Sequence, residues 1–147
     1  MVGPFKTSAE RLALVAREVD LLASQIGAPP SELPTYGRSE DMARPHIEVA
    51  GPFLSWVVAE RGNEIDRKTT RDLDELLYWI FRSVTAGMAS EFAARNPVDG
   101  KEFRYPMFRK ELELMGNLNQ TWRARLVDEL GPLLREAGLM EIDLAES

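Results

Sequence analysis

His46 and Glu48 stand two residues apart in a run, His46 to Ala50, with the composition of a β-strand. That spacing puts both side chains on one face. An imidazole beside a carboxylate can take up and release a proton near neutral pH, which is the material of acid–base catalysis. The same pair also reads as a cross-strand hydrogen-bonded pair at a sheet edge. His46 is the single histidine of the chain. Just ahead of it lies a polar loop, residues 29–45, carrying Tyr36, Arg38, Glu40, Asp41 and Arg44. Tyrosine and arginine are anchor types at protein interfaces, so this cluster reads as a recognition surface. It reads equally as an internally paired loop, because an ordered loop must satisfy its own backbone and arginine can bond carbonyls and acids alike. Long loops inside compact domains often carry function.

Other chemistry is missing from the sequence. There are no cysteines, which excludes disulfides, thiolate catalysis and cysteine-based zinc sites. No His-x-x-x-His pair, Walker loop, Gly-x-Gly-x-x-Gly or Gly-x-Ser-x-Gly elbow occurs. Asp72, Asp74 and Glu75 form an acidic group, but the first turns of a helix account for them through the helix dipole. The expectation is a protein with no cofactor, no metal site and no catalytic residue.

The elements that position these residues follow from spacing. Thr7 with Glu10 reads as a capping box, and Leu12, Val15, Val19, Leu22 and Ile26 continue as a helical stripe that Gly27 ends. Next come three predicted strands: His46–Ala50, Phe53–Glu60 and Glu64–Lys68. Gly51-Pro52 and Arg61-Gly62-Asn63 are their turns. The middle strand is apolar on both faces and so reads as central. Thr69 or Thr70 then caps a helix with a stripe from Leu73 through Leu76, Leu77, Ile80, Phe81, Val84 and Met88 to Phe92. It ends near Arg95 and spans roughly 38 Å, enough to lie across the sheet and carry most of the core. A shorter helix is predicted from Tyr105 to Gly116. Asn119 caps the last helix, which breaks near Leu130 at Gly131-Pro132. The predicted fold is α+β, one domain over 1–147. It has an N-terminal helix, an antiparallel meander of about three strands, then a long helix with two shorter C-terminal helices packed on it.

The chain has 147 residues, 44% of them apolar and 29% charged, in the range of a globular domain rather than a disordered one. The net charge of −6 disfavours nonspecific nucleic-acid binding and permits attraction to a basic protein partner. No apolar run suggests a membrane span or a signal sequence, so a cytoplasmic protein is expected.

Three segments resemble the immunity protein 63 family. The first is Leu33 to Asp41 (LPTYGRSED) followed by Ala43 to Val49 (ARPHIEV). The second runs from Glu60 to Phe81 (ERGNEIDRKTTRDLDELLYWIF). The third comprises Phe103-Arg104 and Glu111 to Asn119 (ELELMGNLN), ahead of Trp122. They occur in order and cover roughly residues 7–130. At Gly131-Pro132 the chain departs from what is an unbroken helix in relatives. The resemblance implies a bacterial immunity protein of a polymorphic toxin system, which binds a cognate toxin in the producing cell and blocks it. The matching positions Tyr36, Gly37, Asp41, Arg44, His46 and Glu48 are then fold-defining, toxin-facing or both. Partner-binding candidates are Tyr36, Arg38, Glu40, Asp41, Arg44, His46 and Glu48, with Glu60 and Glu64 on the hairpin. Two other readings stand beside it. One is a small hydrolase using His46 with Glu48 or Asp41. The other is a homo-oligomeric regulator or adaptor, since monomer and homodimer are not distinguished.

Overall fold

The hydroxyl of Thr7 accepts from Glu10 N at 3.1 Å and donates to Glu10 Oε1 at 3.0 Å, so Thr7 caps the first helix as expected, with Glu10 bonding the Thr7 hydroxyl. The computed structural model describes residues 7–40 and 43–139. The chain packs as two compact units. One comprises the chain up to Ser24 with Pro29–Ile80; the other comprises Gln25–Ala28 with the chain from Phe81 onward.

In the first unit, helix α1 (Ser8–Ile26) buries Val15, Val19 and Ala23, one face at helical spacing. Gly27, at φ 66, stops it, and a 3-10 turn at Pro30–Glu32 follows. The sheet has four strands in the order β1-β2-β3-β4: Thr35–Tyr36, His46–Ala50, Phe53–Glu60 and Asn63–Thr70. The last three are the predicted antiparallel meander. The first corrects the expectation, because β1 pairs in parallel with β2, Thr35 opposite His46 and Tyr36 opposite Ile47. Thr35 N donates to Pro45 O at 3.0 Å and Gly37 N to Ile47 O at 2.8 Å. A strand of two residues between Pro34 and Gly37 has no periodicity to betray it.

Strand β3 is central and buried on both faces: Leu54 and Val58 on one, Ser55 and Val57 on the other. Gly51 (φ 57) before Pro52 makes the first hairpin turn. Arg61 (φ 54) and Gly62 (φ 79) make the second, a type I′ turn that needs both residues left-handed. Strand β4 is the sheet edge and is exposed from Asn63 to Thr69. Alternating charges and a bulge opposite Val58/Ala59 protect it against pairing with other strands.

Helix α2 (Leu73–Arg95) is capped by Asp72 rather than Thr69 or Thr70. Asp74 N donates to Asp72 Oδ1 at 3.0 Å, while Thr70 Oγ1 accepts from Asp72 N at 3.0 Å. Thr69 and Thr70 belong to β4, whose pairing with β3 continues to Thr70 opposite Leu54 and delays the helix. The first turns bury Leu76, Leu77, Tyr78 and Ile80.

In the second unit, α2 buries Phe81, Val84, Thr85, Ala89 and Ala93. The predicted stripe holds to Val84 and then drifts. Met88 is only partly covered and Phe92 is 38% exposed, so small alanines face inward instead. Helix α3 (Arg104–Leu118) buries Tyr105, Phe108, Leu112, Leu114 and Met115. It runs past the predicted end at Gly116. A Cβ there would lie 2.9 Å from Arg123 Cδ, so Gly116 makes room for a neighbour inside the helix rather than ending it. Asn119 Oδ1 accepts from Trp122 N at 3.1 Å and caps α4 (Gln120–Leu130), as predicted. Trp122 stacks on Phe81, centroids 6.4 Å apart. Gly131 (φ 51) breaks the chain and Pro132 opens α5 (Pro132–Glu136), a position where proline's missing donor does no harm. Among the described residues no helix is long and apolar enough to cross a membrane.

Candidate functional site

Three predicted residues meet on one face of the sheet. In β2, His46 and Glu48 project to the same side, with Val57 and Ser55 opposite them in β3 and Arg67 and Thr69 opposite those in β4. His46 Nε2 lies 2.8 Å from Glu48 Oε2. Arg67 NH2 reaches over β3 to donate to Glu48 Oε1 at 3.1 Å. The same guanidinium donates to Glu64 Oε1 through Nε at 3.0 Å and NH2 at 2.7 Å. Ser55 and Thr69 join their hydroxyls at 2.8 Å in the neighbouring row.

The electrostatics follow from these contacts. The hydrogen bond from His46, reinforced by Arg67, holds the Glu48 carboxyl below the usual carboxylate range, against a smaller opposing effect of burial. The Arg67 hydrogen bond does the same for Glu64, and the two acids together raise Arg67. An ionised Glu48 can only accept, so His46 Nε2 carries the hydrogen. His46 is 5% exposed, and its Nδ1 is buried with no partner among the described residues. Nε2 is engaged by Glu48, and Nδ1 is closed off from the surface. The pair lies within β2, which is an inner strand, so it is not the cross-strand pair at a sheet edge that the structural reading expected; the tie between strands is the Arg67–Glu48 bond.

Loop residues 29–45 divide. Arg44 Nε donates to Leu33 O and Arg44 NH2 to Pro30 O, both at 2.9 Å, and NH1 meets Glu40 Oε2 at 3.2 Å. One guanidinium thus ties both ends of the loop together, and Ala43 N adds a bond to Ala59 O at 3.0 Å. Tyr36 is half-buried. Its hydroxyl has no partner among the described residues, and burial, with Asp20 adding to it, pushes its pKa up to about 12. Gly37 sits at φ 79, where a Cβ would lie 3.2 Å from Leu12 Cδ2. Arg38 and Glu40 are exposed, and Asp41 lies outside the described residues. Glu60 is exposed at the hairpin, opposite Asn63.

Sequence reasoning missed Arg67. It stands three residues from Glu64, which a regular strand would put on opposite faces. The bulge inserts Ile65 between the partner of Val58 and the partner of Ala59, and so turns Glu64 toward Arg67. The acidic group at 72–75 serves the α2 N-terminus through Asp72, and the described residues hold no cluster of His, Asp and Glu fit for a metal ion.

Comparison with known proteins gives one family: the model of immunity protein 63 matches residues 51–131, from the β2–β3 turn to the break after α4. No curated protein and no solved structure matches the chain.

Proposed function

This chain belongs to the immunity protein 63 family, which carries an immunity role and a toxin as partner, and we propose that it neutralises a cognate bacterial toxin by stoichiometric binding, without turnover. The observation that supports this reading most is the family match across more than half of the chain. Blocking would work by occlusion of the toxin's working surface. The net charge of −6 would steer a basic partner and make association salt-sensitive. On this reading Arg44, His46, Glu48 and Tyr36 are framework, and the exposed Arg38, Glu40, Glu60 and Glu64 are the members of the predicted set available to a partner.

The test is co-expression with the product of the adjacent upstream gene, scored by growth rescue and then by calorimetry on the purified pair. Rescue with one-to-one binding in the nanomolar range is the expected result. Absence of both removes the reading for that partner.

A further inference from the structure

The second unit carries a groove of about 550 Å³ between the end of α2, the turn after it and the start of α3. Its floor is apolar: Phe92, Pro97, Val98 and Pro106. Phe92 is 38% and Val98 40% exposed, and Phe103, a few residues on, is exposed as well. Three of the exposed large apolar side chains thus fall within residues 92–103. Of these, Phe92 and Val98 leave apolar surface open inside one groove, the kind of patch that marks an interaction site.

The wall is cationic. Lys110 Nζ sits 4.6 Å from the centre of the Phe92 ring and 3.2 Å from Glu113 Oε2, so its charge is answered. Arg109 is exposed. Its guanidinium lies 5.6 Å from the Tyr105 ring centre and donates to the Tyr105 hydroxyl at 3.5 Å, but no carboxylate among the described residues meets it. The groove therefore has one cation in excess, on a chain of net charge −6. Its local charge is opposite in sign to that of the molecule. The best complement is an apolar side chain for the floor with a carboxylate for Arg109.

We infer that this groove receives a segment of the toxin that presents an apolar side chain next to an acidic one. The inference rests on the immunity reading and adds to it a surface and a partner chemistry. That surface is on α2 and α3 and shares none of its residues with the 36–48 motif. The whole groove lies within the span that the family model matches. Its apolar floor would supply the buried centre of the interface, and Arg109 the charged anchor.

The experiment compares the wild-type protein with Arg109→Glu and Val98→Asp, both at exposed positions, in calorimetry against the product of the adjacent upstream gene. Circular dichroism and thermal melts confirm that each variant is folded. Each change is expected to weaken binding by about 30-fold or more, the size seen when an interface anchor is lost. An Asp→Arg or Glu→Arg change in the toxin that restores affinity to Arg109→Glu would identify the paired acid. Unchanged affinity of both folded variants overturns the groove as the contact while leaving the immunity reading intact. Failure of the wild-type protein both to bind and to rescue removes the immunity reading for that partner, and the groove assignment with it. A concentration-dependent doubling of mass in sedimentation that Val98→Asp abolishes would make a second copy of this chain the occupant and overturn the assignment to the toxin.

Discussion

Arg67 on the outermost strand bonds Glu48 two strands away, at 3.1 Å, passing over the central strand to do so. One side chain therefore ties β4 to β2 and also holds Glu64 of its own strand. All three groups are partly exposed, so the network is screened by solvent. Arg67→Ala is expected to lower stability by about 0.5–1 kcal/mol in urea titration. The loss should shrink in 1 M salt. An effect that does not change with salt would show that packing of the arginine stem, not its charge, is responsible.

Acid should weaken the same network. Glu48 and Glu64 are held below the ordinary carboxylate range, so between their folded and unfolded pKa values the unfolded chain binds more protons. Their contribution is present above the unfolded value and lost as pH falls through the folded one. Stability measured by urea midpoint should fall from pH 5 downward. That acid-side slope should be shallower in Glu48→Gln.

Glu111 has the opposite sign. It is buried, and desolvation raises its pKa despite Arg82 at 3.1 Å. Its contribution is full below the unfolded value and declines as pH rises through the folded one. Glu111→Gln should remove this dependence. The advantage of wild type over the variant should be larger at pH 5 than at pH 7. A difference independent of pH would rule out titration of Glu111 as its source.

Tyr36→Phe deletes a buried hydroxyl with no partner among the described residues. Removing an unpaired buried polar group is neutral or stabilising, by up to about 1 kcal/mol. Absorbance titration should show one tyrosine resisting ionisation until about pH 12 and absent from the variant. A clear loss of stability would mean that the hydroxyl is hydrogen-bonded in solution.

Gly37→Ala should be damaging. The residue needs φ 79, and its Cβ would press on Leu12 at 3.2 Å. A left-handed alanine costs about 1–2 kcal/mol before the contact is counted. Thermal unfolding measures the sum. A melting temperature equal to that of wild type would show that the turn can relax.

Much of this was legible from residue spacing because the governing periods are local. The i, i+2 relation of His46 and Glu48 survived folding as a contact, and the central position of β3 followed from its two apolar faces. Other features depended on long-range register. The Glu64–Arg67 contact needs a bulge that only the pairing with β3 creates. The cap of α2 was expected at Thr69 or Thr70, and the continuation of β4 through Thr70 passed that role to Asp72. Arg44 was equally consistent with partner recognition and loop closure until its carbonyl acceptors were known. Phe92 fits the helical stripe and yet is 38% exposed, because Ala89 and Ala93 take the inward positions on those turns.

The charged edge strand has a consequence for how the protein behaves at high concentration. Strand β4 shows solvent a row of unpaired backbone groups with Ile65, 58% exposed, as its apolar member. Glu64, Asp66, Arg67 and Lys68 flank that isoleucine and act as gatekeepers against cross-β stacking. Neutralising them is expected to leave Ile65 unguarded on that edge and to favour edge-to-edge pairing. Solubility during heavy expression thus depends on side chains that contribute little to the core.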